Sequence, residues 1–180
     1  MTMFSAQRKA ALVCALVLTG ALAGCSTGYH GHDSGIDGVL WRQVASFEDP
    51  LSPNLFDSHA NEPGAYLDAL GIADWDGTAA SVAHLGLEDG GVALYDITST
   101  DAAVELSVFI SSGSRSDGLT DEGHDYKGPS AVITCYGINA HFRPGATPLV
   151  DRIIFDKCPA ALVKTAPKDA AFASGEVFDG

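Results

Sequence analysis

The sequence predicts an α+β domain: an antiparallel sheet of about five strands, covered on its apolar face by one or two N-terminal helices and closed by one disulfide. Three observations predict it. Apolar residues recur at helical spacing soon after residue 38, and then the period changes to two, most clearly from Val104 to Ser111. Two cysteines, Cys135 and Cys158, bracket the last pair of apolar runs.

The elements follow in order. From Val39 to Glu48, Leu40, Trp41, Val44 and Phe47 fall on one helical face. Asp37 or Gly38 begins this helix, and Pro50 lies just beyond its expected end. A second helix starts at Pro63, which suits a first-turn position, and runs to Leu70 before Gly71. Its buried side is Tyr66, Leu67 and Leu70, a core stripe rather than a set of cofactor contacts. Val82 to Leu87 and Val92 to Ile97, on either side of Glu88-Asp89-Gly90-Gly91, read as a hairpin. In the next strand Val104, Leu106, Val108 and Ile110 alternate with Glu105, Ser107, Phe109 and Ser111. Residues 112–130 form a long polar loop, of a length that is usually functional or mobile. Ala131 to Phe142 and Val150 to Lys157 make two more strands, joined through residues 143–148. The connections are too short for crossover helices, so the sheet is expected to be antiparallel.

The N-terminus has a different character. Arg8 and Lys9 precede an uninterrupted apolar run, Ala10 to Leu18, followed by small residues and Leu22-Ala23-Gly24-Cys25. A secretory signal has this form, with an apolar core of about 7–15 residues, whereas a spanning helix needs about 20. Residues 1–25 resemble the signal of a bacterial lipoprotein. The resemblance implies that Cys25 receives a diacylglycerol thioether, becomes the new N-terminus and holds the protein at the extracytoplasmic face of the cell membrane. Two acyl chains give stable anchoring at about 0.8 kcal/mol per buried CH₂. The chain then divides into a signal peptide (1–24), a lipidated Cys25 with a Gly-rich tether (25–38), a globular domain (39–160) and a tail (161–180) of weak periodicity, expected to be partly disordered.

After the signal and the anchor take Cys14 and Cys25, Cys135 and Cys158 remain as an even pair in an oxidising compartment, where a disulfide is the default. Their positions suggest a register. Directly opposed antiparallel partners have a constant sum of residue numbers, and Cys135 opposite Cys158 sets Ile138 opposite Phe155 and Ala140 opposite Ile153. One face then carries Tyr136, Ile138, Ala140, Phe142, Ile153 and Phe155. The other carries the cysteines with Asn139, His141, Arg152 and Asp156. The stretch from Ser130 to Pro159 also resembles actinobacterial secreted lipoproteins of unassigned activity, which end in a similar Cys-Tyr strand and Cys-Pro segment. That resemblance supports the bond and the compartment and implies no mechanism.

Charge narrows the partners. The mature chain carries eight basic against 23 acidic residues, a net charge of −15. Such a surface is repelled by phosphate backbones and by anionic lipid, so nucleic acid is excluded as a partner and membrane attachment falls to the acyl anchor on Cys25.

The sequence carries little recognisable catalytic chemistry. There is no nucleophile elbow, zinc-protease helix, Ser-x-x-Lys motif or phosphate-binding Gly loop. Asp74-Trp75-Asp76-Gly77 fails as an EF-hand, its Gly too early and its later Glu missing. His30 and His32 lie in the tether without further ligands, and His84 and His141 fall in expected strands. Asp117, Asp121, Glu122, His124 and Asp125 of the long loop are the nearest approach to a hard-cation site, although such residues are routine in solvated loops. No catalytic residue, cofactor or metal site is assigned. The leading expectation is a non-enzymatic, membrane-anchored lipoprotein that binds an envelope protein or a small ligand. The alternatives are an envelope hydrolase with scattered site residues and a Ca²⁺-assisted binding module.

Overall fold

The computed structural model describes residues 36–178. Cys25, His30, His32 and the whole signal segment lie outside the described residues. No helix among the described residues is long and apolar enough to cross a membrane.

Helix α1, Gly38–Phe56, begins where Asp37 caps it, accepting the Leu40 N–H at 3.2 Å. It runs eight residues past its expected end, straight through Pro50 and Pro53. Each proline removes one i to i−4 bond. Leu51 and Leu55, one turn apart and buried at 4% and 0% exposure, hold the helix together from its core side. Helix α2, Pro63–Leu70, has proline in its first turn and ends on Gly71 in the left-handed region, as its sequence predicts. The Tyr66 hydroxyl donates to the Leu55 carbonyl of α1 at 3.0 Å, and its ring meets Phe142 edge-on.

The sheet has five strands: β1 (Gly91–Ser99), β2 (Ala103–Ser111), β3 (Val132–His141), β4 (Leu149–Ile154) and β5 (Ala171–Ser174). Strands β1 to β4 pair in chain order, all antiparallel. The expected strand at Val82–Leu87 is absent. Thr78 instead caps a short helix α3, Ala79–Val82, and Gly86 turns left-handed into a 3₁₀ turn over Leu87–Asp89. The fifth strand comes from the tail expected to be partly disordered. After β4 the chain forms α4, Ala160–Val163, and returns as β5 along the first half of β3, whose second half pairs with β4. The β3–β5 pair is parallel, contrary to the all-antiparallel expectation, because the segment between Ile154 and Ala171 is long enough to act as a crossover.

The last hairpin differs in register. Observed partners are Tyr136↔Ile154, Ile138↔Arg152 and Ala140↔Val150, so the slip is an odd number of residues and turns every β4 side chain over. Arg152 faces the helices and Ile153 faces away. The cysteines are nevertheless bonded, 5.7 Å apart at Cα. Cys158 lies beyond the end of β4 and reaches back to Cys135 from off the strand.

Two cores result. Helices α1 and α2 cover one face, burying Leu40, Val44, Leu55, Tyr66, Val108, Ile110 and Ile138. A thinner layer made by Leu87, Leu162, Ala166 and the disulfide covers Ala93, Tyr95, Phe109 and Ile133 on the other. Gly137 sits closely packed: an added Cβ would lie 3.0 Å from the Phe155 ring, which would have to give by a few tenths of an ångström.

Thr134 is a local misfit. It is fully buried between Ile110 and Ala173, and its hydroxyl has no hydrogen-bond partner among the described residues. Replacing it with a valine of the same shape removes an unsatisfied group. Thr134→Val is expected to raise stability by about 1 kcal/mol. The urea midpoint should rise with an unchanged slope; a lower midpoint would show that the hydroxyl has a working partner.

Candidate functional site

A cleft of about 280 Å³ opens beside β1, lined by Asp74, Trp75, Asp76, Gly77, Asp96 and Ile97. Two local devices build it. The segment after α2 pairs briefly with β1, with the Leu94 N–H donating to Ala73 and the Trp75 N–H to Leu94, so Asp74 and Asp76 flank the strand. Strand β1 then bulges between Tyr95 and Thr98, where Asp96 adopts φ +50°. Aspartate is among the few side chains that tolerate this region, and bulges redirect side chains next to sites.

Trp75 is fixed in place. Its indole N–H donates to the Thr78 carbonyl at 2.8 Å, and its ring lies 6.3 Å from that of Tyr95, tilted by 60°. The Asp76 carboxylate accepts from the Ser81 hydroxyl, the Thr78 hydroxyl at 2.7 Å and the Thr78 N–H at 2.8 Å. These bonds, the one from Ser81 foremost, hold its pKa below the usual carboxylate range. Asp76 is therefore a committed anion and poorly suited to act as a general base near neutrality. Burial pushes the Tyr95 phenol up to about 12, partly opposed by its bond with Ser107. The cleft thus offers carboxylate acceptors next to an aromatic ring, a combination that suits an organic cation.

The expected residues fall elsewhere. Within the long loop, Asp121 pairs with Arg42 at 2.7 Å, and Asp117 accepts the Leu119 N–H at 3.0 Å. Glu122, His124 and Asp125 are exposed. No group of three or more His, Cys, Asp or Glu residues able to hold a metal gathers among the described residues. The loop is instead strapped to α1. Gln43 donates to the carbonyls of Ser112 and Ser114 at 3.2 and 3.0 Å and accepts the Ser116 N–H. Arg115, nearly buried, pairs with Asp37, donates to the Leu119 carbonyl and stacks 4.2 Å from the Tyr126 ring. His84 is exposed in the turn after α3 rather than in a strand, and His141 is exposed at the end of β3.

The tetrapeptide Asp74–Gly77 is visible in the sequence, where it reads only as an incomplete calcium loop. Its third carboxylate, Asp96, comes from a bulge about twenty residues on, a tertiary event with no local signal. No protein-family model, no curated protein and no solved structure matches the chain.

Proposed function

We propose that the chain is a non-enzymatic lipoprotein, held by lipid on Cys25 at the outer side of the cell membrane, that binds a small organic cation in the Trp75 cleft. The observation that carries the binding role is Trp75, pinned by its N–H on the Thr78 carbonyl in a cleft that three carboxylates help to line. The acidic surface adds long-range attraction for a cation. The four-residue box ending at Cys25 supports the anchor, and the Cys135–Cys158 bond accords with an oxidising compartment.

The test has two arms. Labelled palmitate should enter the wild-type protein in cells and not a Cys25→Ser variant. Titration with butylguanidinium or tetramethylammonium should change tryptophan fluorescence in wild type and in Trp41→Phe, but not in Trp75→Phe. Asp96→Asn should weaken binding about three- to tenfold, the effect of one exposed charge near 1 kcal/mol. Undiminished binding in Asp74→Asn, Asp76→Asn and Asp96→Asn alike would remove the cleft from the reading. Turnover of an envelope substrate, abolished by one Asp or His substitution, would replace binding with hydrolysis.

A further inference from the structure

The second face of the sheet is roofed over only half its length. The cover of Leu87, Leu162 and the disulfide ends over Tyr95 and Phe109, and toward the β1–β2 and β3–β4 turns Glu105, Leu149, Asp151 and Ile153 stand exposed. The registers set Glu105, Asn139 and Asp151 side by side in one cross-strand row there. Glu105 and Asp151 are exposed, two strand spacings or about 10 Å apart. Apolar side chains flank the row. Leu149 is 55% exposed and Ile153 47%, with the Phe155 ring over Gly137 beside them.

We propose that this bare half-face docks a basic, extended segment of a partner protein. Charge decides among the occupants. A second copy would set Glu105 and Asp151 against the same carboxylates in a chain of formal net charge −13. An anionic lipid surface is repelled for the same reason. Lysine and arginine fit both halves of the surface. Their methylene stems lie along Leu149 and Ile153, and their charged ends reach Asp151 and Glu105. This surface is distinct from the cleft of Asp74 and Asp96 and does not rest on the reading of that cleft.

The test uses the full chain in neutral detergent and a labelled, end-blocked nonapeptide alternating lysine with valine. Glu105→Lys with Asp151→Lys should weaken binding about tenfold or more at low salt. The same charge change at α2, Glu62→Lys just before the helix with Asp68→Lys within it, should weaken it no more than about threefold. Leu149→Ser with Ile153→Ser should cost about fivefold, and glutamate in place of lysine in the peptide should abolish binding. Photo-crosslinks from the peptide to the unaltered protein should map to β2, β3 and β4. If the lysine pair does not fold, Glu105→Gln with Asp151→Asn is read in its place, with a smaller loss in the same direction. Equal weakening by the α2 pair, crosslinks elsewhere, or no binding overturns the proposal. So does a dimer in sedimentation that Leu149→Ser disperses, which makes the occupant a second copy.

Discussion

Arg152→Met is expected to lower the unfolding free energy by about 3–5 kcal/mol near neutral pH, the cost of leaving one partner of a buried pair alone. Arg152 reaches from β4 to Glu48 of α1 at 3.0 Å, both side chains under a tenth exposed. Its guanidinium lies 4.7 Å from the Phe56 ring and 4.5 Å from that of Tyr136, and the Tyr136 hydroxyl donates to Glu48 at 3.5 Å. Burial raises the Glu48 pKa above its ordinary value, and Arg152 only partly opposes that rise. The sign of the pH effect follows. Between the unfolded value and the higher folded value, the native state holds a proton that the unfolded chain has lost. The contribution of this carboxyl is therefore most favourable below an unfolded pKa near 4.5 and is lost as pH rises through the folded value. Without Arg152 the folded value rises further, so the deficit of the variant should shrink as pH falls from about 7 to about 5. Urea unfolding at both pH values measures this. A deficit under about 1 kcal/mol, or one equal at both, would show that the pair does not act as a buried pair.

Loss of the disulfide should be nearly as costly. The bond joins residues 23 apart and encloses all of β4. In the chain-entropy account a loop of that size contributes about 3 kcal/mol, and native bridges typically contribute about 2–5. Cys135→Ala with Cys158→Ala should show this loss in thermal or urea unfolding, and reduction of the wild type should reproduce it. Cys135 is fully buried, so the double variant avoids stranding one free thiol at the reactive end. Alkylation of either cysteine in the unreduced native protein would refute the bond itself.

These two features also show how far the sequence can be read. Strict alternation identified β2, and proline with glycine identified α2, because local chemistry sets both. The bond between Cys135 and Cys158 was legible, but not its register. A disulfide tolerates Cα separations of about 4.4–6.8 Å, so it does not require directly opposed residues. Taking the cysteines as opposed placed Arg152 on the polar face, and the odd slip carries it inward to Glu48. The prolines of α1 hid its second half, because tertiary packing of Leu51 and Leu55 outweighs their local cost. Strand β5 is four residues, Ala-Phe-Ala-Ser, too short to show a period. The cleft eluded reading because a bulge and a two-strand bridge assemble it from distant segments.

The capped start of α1 has a consequence for geometry. Ile36 is 5% exposed and Asp37 is tied to both α1 and Arg115, so the fold reclaims the last residues counted as tether. Ten residues, 26–35, lie between Cys25 and Ile36, which makes eleven Cα-to-Cα steps. At full stretch such a segment spans no more than about 40 Å, since each residue adds at most about 3.6 Å. A domain of this size has a radius of gyration near 15 Å. If lipid holds Cys25, the leash can lift the domain from the bilayer by little more than the domain's own width. On that condition, a binding partner would meet the domain no farther from the membrane than about the leash length plus one domain width.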